Sequence, residues 1–544
     1  MPRPDPMSGP MSGPMSGTRG RRFACGFEAG KLAPRTLGAV ALAVLLAACG
    51  TVGPDYQLPA DAMANAPAAN APFISAQGTA DPADGRDGVR DQPRAALFSN
   101  QPLPDHWWRL YDDATLDKLV EQALARNTDL RVAAANLERV RAMESAAQGA
   151  RQPHIGTKAE AMYGHVSGLS LLQEGYSPDN EVDTAVGLSL SYQVDLVGQI
   201  RRSIEAAQAD SQAAQAALDL VRVNVAASTA RAYAAVCSSG LQLHQTQQSV
   251  ALQQQALQLS ERLRDAGRAS TIDALRAQSQ LHSLQAAVPT LQAQRQSGLF
   301  RLATLMGQAP ADFPRDVADC ATPPRVTAVL PVGDGRAMLA RRPDIREAER
   351  QVAAATARIG VATGDLYPKI SIGLSASSAG PGSDFGGKDA FAWGLGPLIS
   401  WNVPNTGVVQ AHIAQAEAGT RAAIARFDGK VLNALRETET ALDAYARELQ
   451  RQQELQAARD AAAQVAQQAR RLYQGGRTGY LPTLDAERSL AQAEAALAAS
   501  QGLLANDQVS LFLALGGGWG PAATAPGEVS AHGGQGAPAP TNKG

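Results

Sequence analysis

Hydrophobic and polar positions alternate in four stretches of the chain. Between residues 182 and 196 the even positions are mostly Val, Leu and Tyr, whereas the odd positions are mostly Ser, Asp, Gly and Gln. A period of two over so long a run predicts a β-strand with one apolar and one polar face. The same pattern, weaker in the first case, recurs over about 154–166, 368–377 and 390–403. We therefore predict four strands arranged as two hairpins.

Long segments without Pro follow each hairpin. Residues 199–263 are mostly Ala, Gln, Leu, Val and Arg, which favour helix, and a second Pro-free run covers 405–481. A helix of about sixty residues would extend on the order of 90 Å, too long for a globule. Such polar helices should pack side by side in water as coiled coils. Gly267 and Gly475-Gly476 are predicted to mark where each long helix turns back.

The chain also contains an internal duplication. Gly267-Arg268 recurs as Gly476-Arg477, 209 residues later, and Pro153 recurs as Pro368, 215 residues later. Each half then contains a helix, a hairpin and a long helical return. We predict a mixed α+β fold with two tandem repeats, at 105–320 and 321–520.

The two faces of the predicted hairpins suggest a transmembrane β-barrel with lipid outside and water inside. A half-buried sheet in a soluble protein is the alternative. Lipid tolerates no open sheet edge, and a barrel needs about eight strands or more. If the sheet lies in a membrane, four strands per chain must therefore be completed by other chains. Three copies would supply twelve strands.

The N-terminus resembles the signal peptide of a bacterial lipoprotein. Basic residues precede an apolar run at 37–48, which ends in Leu46-Ala47-Ala48-Cys49. We predict that residues 1–48 are removed and that Cys49 carries a covalent lipid. In similar lipoproteins, an Asp directly after the lipidated Cys favours retention in the inner membrane. Gly50 stands at that position here, which favours the outer membrane. The alternative is a plain secretory signal, or a buried helix, with a chance Cys.

Two segments lack periodicity. Residues 49–104 are predicted to form an extended, lipid-anchored tether along the body, and 521–544 a disordered tail.

Cys237 and Cys320 could pair in an oxidising compartment, but we expect unpaired, buried residues. The cysteines do not have the spacing of a metal site.

Charge argues against nucleic-acid binding. The chain has 49 Lys and Arg against 51 Asp and Glu, and the cations are spread among the acids.

Gly382, Gly387 and Lys388 have the spacing of a phosphate-binding loop, but Asp389 replaces the required Ser or Thr and alternating strands flank the segment. We predict a hairpin loop there, and no enzyme activity.

Several stretches resemble the outer-membrane factor family of tripartite exporters, the TolC and OprM-like channels, and especially its NodT-type lipoprotein branch. The stretches are Trp107-Trp108 with Leu116 and Leu119, 127–130, 192–198, Arg341-Arg342-Pro343-Asp344-Ile345, 484–490, and Ala514-Leu515-Gly516-Gly517-Gly518-Trp519. The resemblance extends from Cys49 to about Gly520.

The resemblance implies a homotrimer with a twelve-stranded barrel in the outer membrane and a helical coiled-coil tunnel in the periplasm. It also implies a periplasmic adaptor (membrane fusion) protein, an inner-membrane pump of the RND type, and no cofactor besides the lipid on Cys49. The chain would be a passive, gated duct for multidrug efflux. Metal-ion efflux, type I protein secretion, and a structural lipoprotein without a pore are the alternatives.

The resemblance places a periplasmic gate at the second helix return. Asp485 and Arg488 match positions that ring the closed aperture, and Leu481 matches an apolar constriction. Asp273 lies near the first return, where it also fits a capping box with Ser270. Apart from the resemblance, Asp485 is explained as an acid near a helix N-terminus, and Arg488 as a solvated side chain.

Overall fold

The computed structural model describes residues 50–77 and 96–517, except for 166, 168, 170–174, 176, 178, 402, 404 and 405. The chain divides into two compact units, Met1–Gly50 and Thr51–Gly544, and the contacts below belong to the second. The predicted signal peptide, the lipidation site Cys49, residues 78–95 of the tether and the predicted tail lie outside the described residues.

Two matching series of elements follow each other in the second unit. A short helix α1 (Ile74–Gln77) and a short strand β1 (Phe98–Ser99) come before them. The first series is α2 (Ala114–Arg126), α3 (Thr128–Gly149), β2 (His154–Gly164), β3 (Glu181–Val194), α4 (Gln199–Asp265) and α5 (Thr271–Leu305). The second is β4 (Leu330–Pro331), α6 (Gly335–Arg341), α7 (Pro343–Gly364), β5 (Lys369–Pro381), β6 (Phe391–Ser400), α8 (Thr406–Gln474) and α9 (Tyr480–Ala514). Short 3-10 helices cover Met63–Asn65, Pro67–Ala69, Trp107–Tyr111, Pro310–Asp312 and Arg315–Val317.

The two longest helices are α4 and α8, with 67 and 69 residues. Each is about 100 Å long at the usual rise per residue. The start of α4 is determined locally, because Gly198 adopts φ +78° and the Asp195 carboxylate accepts hydrogen bonds from the N–H groups of Ile200 and Arg201. A carboxylate there satisfies free donors and complements the helix dipole. Within the described ranges, no helix combines the length and the apolar character needed to cross a membrane.

Helices α4 and α7 pack antiparallel through charged side chains. Arg358 pairs with Asp210 near one end, and Arg346 pairs with Asp219 near the other. The residue numbers rise along one helix as they fall along the other, which defines the direction. The Arg358–Asp210 pair is exposed and orients the helices more than it stabilises them, whereas Asp219 is buried.

The main core lies where the two series meet. Trp107 and Trp108 are almost completely buried, and the Trp107 ring lies 5.0 Å from that of Phe512 in α9, centroid to centroid. Burial of large aromatic rings contributes strongly to stability. The start of the first repeat is therefore packed against the end of the second.

The four long strands form one antiparallel sheet in the order β2-β3-β5-β6. The central pair β3 and β5 joins the two hairpins, with Leu190 opposite Leu374. Each repeat thus supplies one hairpin, as the alternation predicts. The turn at 382–390 between β5 and β6 contains the phosphate-loop-like spacing, so that segment is a hairpin loop, also as predicted. Among the described residues, β2 and β6 are the edges of the sheet.

Residues 51–77 lie along helices of both series. The Arg202 guanidinium on α4 binds Asp55 at 2.7 Å. Further along, Asp428 accepts from the Met63 N–H, and the Glu439 carboxylate accepts from the N–H groups of Ile74 and Ser75 at 2.9 Å each. Glu439 thus caps the short helix α1 from another element.

The structure corrects the expectation that Cys237 and Cys320 are unpaired. They form a disulfide between α4 and the segment that connects α5 to β4, with the Cα atoms 4.6 Å apart. Close approach of the backbone makes this possible, because a Cβ added to Gly240 would lie 1.9 Å from the Cys320 carbonyl oxygen. The cysteines are 83 residues apart in the sequence, and no local pattern reveals that they are neighbours.

Candidate functional sites at the sheet and the helix returns

One face of the sheet is apolar across all four strands. The register places Ile155, Leu190, Leu374 and Leu395 in one row, and Leu188, Ala376 and Trp393 in the next. Many of these side chains are exposed in the single chain, with Trp393 70% and Leu395 66% accessible. An apolar surface continuous over four strands is far larger than the scattered exposed residues that are normal for a soluble monomer.

The opposite face is mostly small or polar. Its rows include Gly156, Ser189, Ser375 and Gly394, followed by Lys158, Gly187, Ser377 and Ala392. Lys158 forms an ion pair with Glu160 on this face, at 2.6 Å. The two faces are therefore suited to different surroundings, one apolar and one aqueous.

The two helix returns have the same backbone. Gly267 and Gly476 both adopt φ +68°, a conformation that favours glycine. The next residue in each return donates its N–H to a carbonyl of the preceding helix: Arg268 to Leu263 at 2.8 Å, and Arg477 to Leu472 at 2.9 Å. Both glycines also donate to a carbonyl three residues earlier, so both helices end with the same Schellman motif. The predicted positions of both returns are confirmed.

The three residues proposed from the second return lie on the first turns of α9. Leu481 is 45% accessible, and Asp485 is exposed. Arg488 is also exposed, and its Nε donates to the Gln280 Oε1 of α5 at 2.8 Å. Asp485 and Arg488 are three residues apart, so they share a helix face. Their exposure leaves them available to other surfaces.

Asp273 has a different environment. Its carboxylate lies 3.6 Å from the Arg276 guanidinium of the same helix. The predicted capping box is only half formed, because Ser270 Oγ accepts from the Ile272 N–H while the Asp273 carboxylate is directed to Arg276. Asp273 is on α5, and the structure does not place it with Asp485 in one ion-paired group.

Two buried hydrogen bonds that the sequence did not predict join the second return to the first series. Gln253 on α4 donates to the Tyr480 hydroxyl at 2.9 Å and to the Ala277 carbonyl at 3.0 Å. The Ser260 and Tyr473 hydroxyls are 3.1 Å apart. Burial raises the pKa of Tyr480 to about 12, so its hydroxyl stays protonated at neutral pH. The one sequence signal was two tyrosines that flank a glycine-rich return.

A partly buried ion pair lies within the second return. Arg470 on α8 approaches Glu487 on α9, with 3.3 Å between Nε and Oε1. Burial raises the pKa of Glu487, while the Arg470 charge acts in the opposite direction. The described residues contain no group of three or more His, Cys, Asp or Glu side chains that could hold a metal. The described polar contacts of the second return are an ion pair and hydrogen bonds between helices.

Comparison with known families agrees with this architecture. The family described as outer membrane efflux protein matches residues 119–308 and 336–517, which is one segment in each repeat. The chain belongs to the outer membrane efflux protein family. This confirms the resemblance drawn from the sequence, the outer-membrane location and a transport class distinct from enzymes.

Relatives cover most of the chain. The solvent efflux pump outer membrane protein SrpC of Pseudomonas putida is 30% identical over 489 residues, which are 88% of this chain and 97% of SrpC. Nodulation protein T of Rhizobium leguminosarum bv. trifolii is 28% identical over 425 residues, 77% of this chain and 89% of that protein. The solved structure of the outer-membrane channel OprN superposes with a TM-score of 0.76 at 36% identity, covering 86% of this chain and all 100% of that chain.

Proposed function

We propose that this protein is the outer-membrane duct of a tripartite efflux pump of the RND type. The observation that carries the proposal is the sheet: an apolar face over four strands, a polar face behind it, and two edges that pair with nothing in the described chain. Lipid tolerates the apolar face but not the edges, because unpaired N–H and C=O groups in hydrocarbon cost several kcal/mol each, by order of magnitude.

Assembly of three copies would leave the apolar face in contact with lipid and would pair both edges of each sheet. Four strands from each chain would close a twelve-stranded barrel, within the range of about eight to 26 strands that bacterial barrels use. Edge β2 of one copy would pair with edge β6 of the next. The long helices would then extend the duct into the periplasm, and the lipid on Cys49 would add a second attachment to the membrane.

The gate of this duct would lie at the second helix return. Threefold symmetry would bring three copies of Asp485 around one axis, where carboxylates repel unless cations neutralise them. Arg488 on the same helix face supplies that charge, and Leu481 forms the apolar constriction. Asp273 with Arg276 would support the ring from the first return.

The names of two relatives support a proposal about partners and substrates. SrpC is named for solvent efflux, and a related Pseudomonas putida protein for toluene efflux. We infer that this chain passes drugs and small apolar organic compounds, delivered by an inner-membrane pump and a periplasmic adaptor protein. The duct itself is passive and uses no cofactor.

Cross-linking between copies tests the shared barrel. A cysteine at Gly396 in β6 is combined in turn with one at His154, Gly156 or Lys158 in β2, all on the polar face. One of these combinations should give covalent dimers and trimers in denaturing gels. Gly396→Cys with Gly187→Cys is the matched control, because Gly187 lies on β3 inside the sheet and should give no ladder.

The conductance of the purified trimer and the sensitivity of cells to toxic compounds complete the test. The purified trimer should conduct in planar bilayers, weakly while the gate is closed. Deletion of the gene should sensitise cells to toluene and to lipophilic antibiotics, and not to metal salts. A monomer without conductance would favour a structural lipoprotein, and selective sensitivity to metals would favour metal-ion efflux.

A further inference from the structure

Helices α5 and α9 run back from the two returns. Their C-terminal ends meet the rest of the body in equivalent junctions. At the first junction, the Asn127 side-chain amide donates to the carbonyl of Leu305, the last residue of α5, at 3.0 Å. At the second, Arg342 Nη1 donates to the carbonyl of Ala514, the last residue of α9, at 2.9 Å. Asn127 and Arg342 precede α3 and α7 at matching places, 215 residues apart.

The chemistry of the two junctions differs. Asn127 is neutral, and its Oδ1 also caps α3 by accepting from the Asp129 N–H at 2.8 Å. Arg342 is charged and 8% accessible, and it binds the Asp344 carboxylate through two nitrogens at 3.0 and 2.8 Å and Glu437 at 3.0 Å. Bidentate pairs of this kind are strong and directional. The second junction thus holds the end of α9 in a defined position.

Further contacts hold the same end of α9. The Gln508 amide pairs with the backbone of Val326 in both directions, at 2.9 and 3.2 Å. Gly517 follows α9 with φ +60°, and a Cβ there would lie 2.4 Å from a Val223 methyl group. At the other end, by contrast, Leu481 and Asp485 are exposed.

A cavity of about 430 Å³ borders the second junction. Val223, Arg342, Glu437 and Asp507 are among its lining residues. Protein interiors are otherwise close-packed and transmit displacement. The cavity provides free volume into which the end of α9 can shift once its ionic contacts are lost.

We propose that Arg342 is a positioning residue of the gate: it forms the fulcrum on which α9 is held at the correct tilt. Helix α9 has 35 residues, so it is about 50 Å long, and a tilt of about 5° at the fulcrum moves the gate end by about 4 Å. Such a displacement at Asp485 would widen an aperture formed by three side chains. The inference rests on the proposed function as a gated duct.

The experiment compares Arg342→Gln with Asn127→Ser, its matched control. Asn127→Ser keeps a capping hydroxyl and removes only the donor to Leu305. Arg342→Gln should raise the mean conductance of the trimer in bilayers several-fold, whereas Asn127→Ser should leave it unchanged. Arg342→Lys and Glu437→Gln should give smaller increases. Because these two keep a cation at the fulcrum, they decide the question if Arg342→Gln does not assemble.

A second readout is independent of conductance. Spin labels on Gln492→Cys, an exposed position of α9, report the distance between copies near the gate. A longer or broader distance in Arg342→Gln, with wild-type distances in Asn127→Ser, supports the fulcrum. Unchanged distances and conductance in correctly assembled Arg342→Gln overturn it. A last outcome separates the two proposals. If neither Arg342→Gln nor Asp485→Ala with Arg488→Ala conducts, although the label distance changes in Arg342→Gln, the gated duct is wrong and the fulcrum at Arg342 stands.

Discussion

The two helix returns share a backbone but use their polar side chains differently. In the first return, Asp273 pairs with Arg276 on its own helix, 3.6 Å away. In the second, Tyr480 and Arg488 reach side chains of the first series, Gln253 at 2.9 Å and Gln280 at 2.8 Å. The ion pair of Asp273 with Arg276 stays within one helix, whereas the second return combines its own Arg470–Glu487 ion pair with hydrogen bonds to the first series.

This difference shows how a duplicated unit can acquire an unequal role without a change of fold. The glycines that shape both returns are equivalent, 267 and 476. Tyr473 and Tyr480, in contrast, correspond to Arg264 and Thr271 in the first half. A return attached through a few hydrogen bonds can be released at small cost, since each contributes about 1 kcal/mol net. The second return is therefore the better candidate for the moving part.

The largest expected effect concerns the disulfide, which the second repeat lacks because Ala446 stands at the position equivalent to Cys237. Cys237→Ala with Cys320→Ala should lower the free energy of unfolding of the helical body. For the separation of 83 residues, the chain-entropy model gives about 4 to 5 kcal/mol. Thermal unfolding in detergent measures this. Added reductant should shift wild type towards the variant and leave the variant unchanged; an equal shift in both proteins would contradict the disulfide.

The second prediction compares the two returns directly. Asp485→Ala with Arg488→Ala should raise bilayer conductance several-fold and admit vancomycin-sized solutes into cells, because the charges expected at the threefold axis are lost. Asp273→Ala with Arg276→Ala, the matched pair of the first return, should have a much smaller effect. Equal responses of the two returns would remove the distinction between them.

The third prediction concerns the buried contact between the returns. Tyr480→Phe removes the hydroxyl that accepts from Gln253, and should lower the free energy of unfolding by about 1 kcal/mol. A double-mutant cycle with Gln253→Ala measures the coupling. A coupling near zero would mean that the two side chains do not stabilise each other in the assembled protein.

The smallest expected effect is a dependence on pH. Burial, followed by the nearby Glu448 carboxylate, raises the pKa of Asp507 to about 6 from its ordinary value of 3.8. Between these values the unfolded chain has lost the proton that the folded chain retains, so stability falls as pH rises through this window. The equivalent first-half residue is Gly298, which cannot titrate.

Asp507→Asn should therefore flatten the change of melting temperature between about pH 4 and 6 and stabilise the protein at neutral pH. Wild type and variant are compared by thermal unfolding across this range. Parallel curves for the two proteins would assign the pH dependence to other groups.

Periodic and local features were predictable from the chain alone. The alternation along β3, the Pro-free runs of α4 and α8, and the glycines of the returns each depend on neighbouring residues. Burial on one face, backbone strain and helix propensity act over a few positions, so they leave a pattern in the order of residues. The duplication strengthened these predictions, since each element occurs twice.

Contacts between distant residues were decided by the tertiary structure. Cys237 meets Cys320, Gln253 meets Tyr480 across 227 positions, and Arg342 meets Ala514 across 172. Each contact depends on the relative shift and rotation of long helices, which arise from packing over their whole lengths and leave no repeating signal at the contact. The amino-acid order alone thus determined which elements form and where they turn, whereas the folded chain determined which side chains meet.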